Sequence, residues 1–417
     1  MRISPSRSRS AALIAAALAV GGGLASAPAA AAAPTASAAA GTATFTDPDN
    51  VAGPLSVTLQ QVNGPSVDPQ GWNVAFFQLS PSVVPGAGCQ NGLVGVVCPF
   101  GAAAPGAINV DLGGGDDQLT LEVGESAAST TAAIAIKGGA GNDRISTIRA
   151  KAVIDGGDGD DILLPDEIRP IVAVPGITVG GEIRGGAGSD TVAFESSPEA
   201  VTVSLDGIAN DGRIDGPNGA SSEKDNVFSD VENIVGPAKG SLLTGSKLDN
   251  KINGGAGNDK IDGLAGDDTL SGGGGNDELN AVDGAPDDAV TCGDGDDLVF
   301  ADYGDAVDKA SCETVVWAPA LSSKSLRYKD KKIRVGLKCP KEATSCMGTV
   351  ILRTTGTKPA TIAKARYDVA KGKKGTVTLK ATSAGRKAMK KKAINATALI
   401  ELDGGPAPLG PAVKIRR

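Results

Sequence analysis

Residues 254–280 read GGAGNDKID, GLAGDDTLS and GGGGNDELN, three nine-residue units in unbroken register. The units follow the pattern G-G-x-G-x-D-x-U-x, with Leu264 at the second position of the middle unit, and U is a large aliphatic residue, here Ile261, Leu270 and Leu279. A fixed period of this kind is typical of a stacked solenoid and restricts the chain to short turns and short strands that repeat.

Each unit divides into a turn of about six residues and a strand of about three, because glycine permits the φ > 0 conformations that tight turns need. Two units make one coil, so turns eighteen residues apart stack on the same edge. Neighbouring strands lie about 4.8 Å apart, and Asp259 and Asp277 therefore form a like-charged column. At that spacing the repulsion is about 3–4 kcal/mol per pair at an effective dielectric near 20. A divalent ion would cancel it, and hard oxygen ligands select Ca²⁺.

The motif resembles the haemolysin-type calcium-binding repeat, the RTX nonapeptide. This resemblance implies an all-β fold, a right-handed parallel β-roll or β-helix solenoid, with Ca²⁺ as its cofactor. The expected architecture adds a strand cap at the N-terminal end and a small β-rich domain at the C-terminal end.

Further copies of the turn extend the pattern in both directions. Residues 138–143 and 156–161 are eighteen apart and should stack on one edge, and residues 185–190 follow after an insertion around residues 165–175. The carboxylate at the sixth position is the principal predicted ligand, with turn glycines and neighbouring Asn residues completing each site. The predicted metal ligands are Asp117, Gly138, Gly139, Gly141, Asn142, Asp143, Gly156, Gly157, Gly159, Asp161, Gly185, Gly188, Asp190, Gly254, Gly255, Gly257, Asn258, Asp259, Gly263, Gly266, Asp268, Gly272, Gly273, Gly275, Asn276, Asp277, Asp288, Gly293, Gly295 and Asp297.

Composition excludes several kinds of chemistry. The chain has no histidine, which removes Ser-His-Asp and Cys-His catalysis and every His-ligated metal site. Aromatic residues are only 3% of the chain, so small residues and short strands must build the core, as in a solenoid. No GxxxxGK[ST] phosphate loop is present, despite 58 glycines.

Domain boundaries follow from changes in composition. Residues 1–33 have a basic start, an apolar run and small residues, which is the pattern of a secretory signal peptide. Residues 41–110 are a predicted N-terminal β-rich cap, and residues 111–317 the calcium-binding roll, with an insert near residues 192–235. No stretch after the signal peptide is long and apolar enough to span a bilayer. We therefore expect a secreted protein, extracellular or at the cell surface.

Residues 318–417 form a predicted basic β-rich domain. This part holds 24 Lys+Arg against 5 Asp+Glu, whereas the rest of the chain holds 16 against 43. Its lysines, among them Lys371, Lys373 and Lys387, are candidates for contact with anionic cell-wall polymers, nucleic acid or acidic lipid. The alternatives are a solvated face, or a face that docks on the acidic roll of the same chain. The scarcity of aromatic stacking residues argues against sequence-specific nucleic-acid binding.

The six cysteines pair most simply as nearest neighbours, Cys89 with Cys98, Cys292 with Cys312 and Cys339 with Cys346, although six cysteines permit fifteen connectivities. An even count suits an oxidising compartment.

Two functions are consistent with these features. The first is a non-catalytic secreted calcium-binding protein with a cell-surface or matrix role. The alternative is an extracellular polysaccharide-acting enzyme, or the binding module of one. Adjacent acids such as Asp116 and Asp117 recur in turns, which is a ligand pattern rather than an acid–base pair, so we expect no enzymatic activity.

Overall fold

The computed structural model describes residues 35–39, 42–47, 55–62, 71–78, 84–91, 96–101, 105–123, 132–148, 150–165, 181–214, 224–343, 345–355, 357–390, 393–403, 405 and 410–416. The predicted signal peptide lies outside these residues, as does almost all of the insertion expected around residues 165–175. The described part is almost entirely β-structure, with one short helix. Within it, no helix combines the length and the apolar character that crossing a membrane requires.

Two parallel sheets, A and B, form the first half of the roll, and the chain passes from one to the other in each coil. Strands of even number lie in sheet A and those of odd number in sheet B. They are β8 (Ala107–Asp111), β9 (Gln118–Val123), β10 (Ala133–Ala140), β11 (Arg144–Ile148), β12 (Val153–Asp158), β13 (Ile162–Leu164), β14 (Glu182–Ala187) and β15 (Thr191–Ala193).

The second half of the roll keeps sheet B but replaces sheet A with a third parallel sheet, C. Here the strands of odd number lie in sheet B and those of even number in sheet C. They are β19 (Asn233–Val235), β20 (Leu242–Thr244), β21 (Lys251–Ala256), β22 (Lys260–Asp262), β23 (Thr269–Gly274), β24 (Glu278–Ala281), β25 (Ala289–Asp294), β26 (Leu298–Asp302), β27 (Ala306–Val307) and β28 (Thr314–Ala318). Turns of the repeat therefore occur on one edge in the first half and on both edges in the second.

The insert between the halves contributes strands to two sheets. It contains β16 (Val201–Ser204), β17 (Gly212–Arg213) and β18 (Asn226–Val227). Strand β16 pairs in parallel with β20 in sheet C, and β18 pairs in parallel with β14 in sheet A. The buried carboxylate of Asp211 accepts hydrogen bonds from the amides of Ser204 at 2.7 Å and Val227 at 2.8 Å. Both of its oxygens are thus used to join β16 to β18 within the insert.

The N-terminal strands extend sheets A and B beyond the first coil. Strand β2 pairs in parallel with β8, and β3 pairs in parallel with β9. The remaining pairings among the described N-terminal strands are antiparallel, apart from β1 with β5. The strands are β1 (Thr35–Ala39), β2 (Thr42–Thr46), β3 (Leu55–Val62), β4 (Gly71–Gln78), β5 (Val84–Pro85), β6 (Gln90–Asn91) and β7 (Val96–Gly101). They cover the apolar end that a solenoid otherwise exposes.

The core of the roll consists of the aliphatic residue of each unit. The residues at this position are at most 2% exposed: Leu119, Ile145, Leu163, Val192, Ile252, Ile261, Leu270, Leu279, Val290 and Val299. Side chains alternate across a strand, and the residue before each of these aliphatics is half-buried or exposed. The interior is consequently narrow and aliphatic, which explains how the chain folds with so few aromatics.

The C-terminal domain is a closed antiparallel barrel with one parallel pairing. Six strands follow the order β30-β36-β35-β32-β33-β34, and β31 pairs with both β30 and β34 to close the ring. Closure leaves no free sheet edge. The elements are β29 (Ala320–Leu321), β30 (Ser325–Lys329), β31 (Lys332–Lys338), β32 (Ser345–Thr354), β33 (Thr361–Ala370), β34 (Lys374–Ala381), α1 (Ser383–Ala388), β35 (Ala393–Leu402) and β36 (Ala412–Arg416).

A hairpin and a short helix complete this barrel. The region 325–337 is a hairpin, because Asp330 and Lys331 turn the chain at φ values of 51° and 60°. Thr382 caps helix α1 and accepts a hydrogen bond from the amide of Gly385.

The barrel packs on the last coil of the roll. Val282, Phe300 and Ala318 form a buried cluster with Leu402 of the barrel, and the Nζ of Lys338 donates a 2.7 Å hydrogen bond to the hydroxyl of Tyr303. The three predicted disulfides are confirmed: Cys89–Cys98, Cys292–Cys312 and Cys339–Cys346.

Candidate metal sites in the stacked turns

Glycine at the second and fourth positions shapes each turn. In the turn of residues 254–259, Gly255 and Gly257 have φ values of 99° and 107°, a region that residues with a side chain rarely adopt. The corresponding glycines of the other complete turns also have positive φ values. One unit breaks the rule, because Leu264 occupies the second position with a φ of 73°.

The sixth-position aspartates form three acidic columns along the edges of the roll. The first acidic column runs along one edge of the first half, and the other two follow the two edges of the second half. The first comprises Asp117, Asp143, Asp161 and Asp190, the second Asp259, Asp277 and Asp297, and the third Asp268 and Asp288, and all nine are at most 4% exposed.

Within a column, each aspartate binds the backbone of the turn before it. The amide of Asp117 donates to Oδ1 of Asp143 at 2.8 Å, and the amide of Asp143 donates to Oδ1 of Asp161 at 2.7 Å. The same hydrogen bond joins Asp161 to Asp190, Asp259 to Asp277, Asp277 to Asp297 and Asp268 to Asp288. One oxygen of each bonded carboxylate is therefore committed to holding neighbouring coils together.

The second carboxylate oxygen has no partner in two of the columns. Oδ2 of every aspartate in the first and second acidic columns is buried and makes no hydrogen bond. A buried carboxylate oxygen without a hydrogen bond is costly, and seven of them in register call for a common partner. A cation can be this partner, because a carboxylate oxygen binds a metal ion directly and needs no hydrogen-bond donor.

In five of these seven turns the first residue is a glycine that keeps space beside this oxygen, whereas Leu112 and Cys292 occupy that position before Asp117 and Asp297. A Cβ placed on Gly254 would lie 2.5 Å from Oδ2 of Asp259 and 2.5 Å from the carbonyl oxygen of Gly272 in the next coil. Gly138, Gly156, Gly185 and Gly272 show the same crowding by a carboxylate oxygen and a carbonyl oxygen. In these five turns two oxygens converge on the space that glycine leaves, and this donor set suits a hard divalent cation such as Ca²⁺.

A second ladder lies outside the first and runs in the opposite sense. The amide of Asn142 donates to Oδ1 of Asp116 at 2.8 Å, and the amide of Asp160 donates to Oδ1 of Asn142 at 2.7 Å. Asn276 and Asn258 form an equivalent pair at 2.9 Å. These fifth-position side chains are exposed, so the predicted ligands Asn142, Asn258 and Asn276 lie on the rim of the turns rather than in the buried columns.

Burial and mutual repulsion raise the pKa values of several column carboxylates. Burial is the main cause for Asp117 and Asp190, whose pKa values rise to about 7, and neighbouring carboxylates add to it. The pKa values of Asp143 and Asp161 rise to about 6 for the same main reason, although a backbone hydrogen bond lowers each. In the third acidic column, burial raises the pKa of Asp288 to about 8. The columns thus carry charge that their surroundings do not stabilise.

Sequence reasoning missed two residues that end the columns. Oε2 of Glu232 accepts a 2.9 Å hydrogen bond from the amide of Asp190, and Oε2 of Glu313 accepts one of 3.1 Å from the amide of Asp297. Each glutamate takes the place of the next aspartate. A signal existed, because Glu232-Asn-Ile and Glu313-Thr-Val preserve the D-x-U spacing with glutamate for aspartate.

The third acidic column differs from the others. It begins at Asn250, whose amide binds Oδ1 of Asp268 at 2.8 Å and whose own Nδ2 donates to the carbonyl of Glu232 at 2.9 Å. The longer unit that follows brings carboxylate oxygens of Asp283, Asp287 and Asp288 within 4.8 Å of one another. The structure thus places Asp288 in register with Asp268 and brings Asp283 to the pair Asp287 and Asp288, a neighbour that the spacing did not indicate.

A roll of stacked glycine turns, with oxygen ligands converging along its edges, defines a calcium-binding β-roll protein. Residues 135–147, 153–166 and 244–279 match the RTX calcium-binding nonapeptide repeat, in four copies. The chain therefore carries repeats of this calcium-binding family, and the resemblance read from the sequence is confirmed. No curated protein is significantly similar to the chain.

Proposed function

We propose that the chain is a secreted, non-catalytic protein whose roll is held together by calcium and which acts at a cell surface or in an extracellular matrix. The observation that carries the proposal is the row of buried, unpartnered Oδ2 atoms, one for each turn of the first and second acidic columns. Each such oxygen would hold one side of a calcium ion, together in five of the turns with the carbonyl oxygen that converges on it.

Calcium would supply electrostatic cohesion between coils. The column carboxylates would bind the ion, while the amide-to-Oδ1 bonds fix the spacing at which the ligands meet. Extracellular calcium modules typically have dissociation constants of about 10⁻⁴–10⁻³ M. A roll of this affinity orders after export from a low-calcium cytosol, because binding free energy adds to folding free energy.

The arrangement of the paired acids supports a structural role over a catalytic one. In each pair the first acid is exposed and the second is buried, as in Asp160 and Asp161 or Asp296 and Asp297. The two carboxylates thus face different surroundings and do not converge on one substrate position. The alternative proposal, a polysaccharide-acting enzyme or its binding module, is tested by a screen for depolymerisation of extracellular polysaccharides.

Calcium titration tests the main proposal directly. Circular dichroism and thermal unfolding of the full chain should show a gain in β-structure and in melting temperature on adding calcium. Magnesium at the same concentration should have a much smaller effect, because it requires a tighter octahedral site. A chain that is equally compact and equally heat-stable in chelator would refute the structural role of calcium.

The role at the cell surface is tested separately, by retention of the calcium-loaded chain on the isolated cell envelope. Retention that decreases with salt would favour contact between the basic barrel and anionic wall polymers. Envelope preparations that retain none of the protein at low salt would reject that part of the proposal.

A further inference from the structure

Two rows of cationic side chains cross the outer surface of the C-terminal barrel. The first row crosses four strands, from β30 through β31 and β34 to β33, and the second crosses β36, β30 and β31. In both rows the residues are directly opposite one another on neighbouring strands. The first row is Lys329, Lys332, Lys380 and Lys364, and the second is Arg416, Arg327 and Arg334.

This arrangement is unfavourable for the barrel alone. Like charges directly opposite on neighbouring strands destabilise a sheet, and all seven side chains are exposed. None of the seven forms a salt bridge in the part of the chain that the structure describes, where the barrel's one ion pair joins Arg366 to Asp403. The nearest acid in sequence, Asp330, is in the hairpin turn between Lys329 and Lys332.

The rows lie at the end of the barrel that points away from the roll. The end of β31 that meets the roll is marked by Lys338, which binds Tyr303. Lys332 is six residues earlier on the same strand, which is about 20 Å at the rise of an extended chain. Likewise, Pro411 packs against Gly284 of the roll, whereas Arg416 is at the opposite end of β36. The acidic roll of the same chain therefore does not neutralise these rows.

We propose that these seven residues, the cationic rows, bind a linear anionic glycan that carries about one negative charge per sugar residue. The proposal deepens the surface role stated above and rests on it. Neighbouring cations in a row are separated by the strand spacing of about 4.8 Å, so an extended polymer laid across the strands meets one cation after another. Charge complementarity is the basis of recognition, and binding should weaken steeply as salt is added.

Other polyanions fit the surface less well. Duplex DNA presents one charge per ~1.7 Å of helix axis, a much closer spacing than the about 4.8 Å between neighbouring cations of a row. Single-stranded nucleic acid requires aromatic stacking platforms, whereas Tyr328 and Tyr367 on these strands are half-buried and buried. A membrane surface favours apolar side chains beside the cations, and none of the large exposed apolar side chains of the described residues lies on the five strands that carry the rows.

Fluorescence anisotropy of the full calcium-loaded chain tests the proposal, with labelled oligogalacturonate too short to gel in calcium as the probe. We expect the variant Lys329→Gln, Lys332→Gln, Lys364→Gln and Lys380→Gln to lose at least about tenfold in affinity at about 50 mM salt. The matched control, Lys371→Gln, Lys373→Gln, Lys387→Gln and Lys390→Gln, removes the same charge from exposed residues outside the rows and should lose less than twofold. If the fourfold variant does not fold, Lys332→Gln with Lys380→Gln should give an intermediate loss.

The possible results separate this inference from the surface role itself. If the wild-type chain binds oligogalacturonate and both fourfold variants lose affinity equally, the cationic rows are not the site, while the surface role stands. If the wild-type chain binds neither oligogalacturonate nor cell envelope, the surface role fails. Tighter row-dependent binding to duplex DNA or to anionic vesicles would overturn the choice of a glycan. Self-association that the row variant abolishes would identify a second copy as the partner.

Discussion

The backbone amide of Asp259 donates a 2.8 Å hydrogen bond to Oδ1 of Asp277, a residue eighteen positions later in the chain. Oδ2 of the same Asp277 is buried without a partner. One carboxylate thus joins two coils through its first oxygen and leaves its second directed at the space beside Gly272. Because Oδ1 holds the coils together and Oδ2 is the candidate metal ligand, a substitution that changes only Oδ2 can separate the two roles.

Replacing Asp277 by Asn should abolish most of the calcium response of its site while preserving the scaffold. The side-chain amide keeps the oxygen that accepts the hydrogen bond from Asp259 and replaces the charged Oδ2 with a donor nitrogen. In calcium we expect a loss of about 1–3 kcal/mol of unfolding free energy, and in chelator no loss, because a repelling charge is gone. Thermal unfolding in calcium and in chelator measures both effects.

Asp296→Asn is the control for that substitution, since it removes the same charge from the exposed neighbour in the next turn. It should leave the calcium response nearly unchanged. An equal loss from Asp277→Asn and Asp296→Asn would mean that overall charge, and not the buried column, governs binding.

Gly254→Ala should weaken both the fold and calcium binding. The added methyl group would lie 2.5 Å from Oδ2 of Asp259 and from the carbonyl oxygen of Gly272, in the space where ligand oxygens converge. We expect a loss of about 1–3 kcal/mol from overpacking, together with a weaker response to calcium in circular dichroism.

Gly274→Ala is the matched control, because a Cβ there meets no atom within 4 Å. It should change the unfolding free energy by about 0.5 kcal/mol or less. A comparable loss from both alanine variants would show that glycine acts through chain flexibility rather than through the space beside the carboxylate.

Leu264→Gly should stabilise the roll. Leu264 has a φ of 73° in a position that is otherwise glycine, and the left-handed region costs a residue with a side chain about 1–2 kcal/mol. The greater entropy of glycine in the unfolded chain returns about 0.5–1 kcal/mol of this, so we expect a net gain of up to about 1 kcal/mol in chemical denaturation. Leu248→Gly, an exposed leucine of the preceding turn, should give no gain.

In chelator, the stability of the roll should fall as pH rises from about 4 to about 8. The pKa of an aspartate in the unfolded chain is about 3.9, whereas burial raises the pKa of Asp259 to about 7 and that of Asp288 to about 8. The folded chain therefore holds more protons across this interval, and stability is lost as they dissociate.

In saturating calcium the trend should reverse, because protons compete with the ion for the same carboxylates. Melting temperatures measured at pH 5 and pH 8, each with calcium and with chelator, give the pH trend under both conditions. A melting temperature in chelator that rises with pH would contradict the burial of the columns.

The repeat could be predicted from the sequence because its pattern is local. The nine-residue period specifies a turn and a strand, the aliphatic residue must face inward, and eighteen-residue spacing must stack like turns, so Asp143 and Asp161 were placed together correctly. The disulfide between Cys292 and Cys312 could be predicted because a short loop keeps cysteines that are close in sequence near each other in space.

The ends of the columns carry only a weak local signal. Glu232 and Glu313 keep the spacing to the next aliphatic residue but lack the glycine turn, and only the stacking of the coils shows that each binds the last aspartate amide of its column. Nor does a local pattern show that Asp283 approaches Asp287 and Asp288, since that depends on the path of a loop two residues longer than the repeat.

The sequence by itself determined the unit of this protein: the turn chemistry, the buried aliphatic stripe and the acid at every sixth position. Only the tertiary structure decided how the units are assembled, including the exchange of sheet A for sheet C, the closure of the barrel and the alignment of its lysines. The physical reason is the range of the interactions. Turns and alternation depend on a few neighbouring residues, whereas pairing between strands depends on contacts between residues that are distant in the chain.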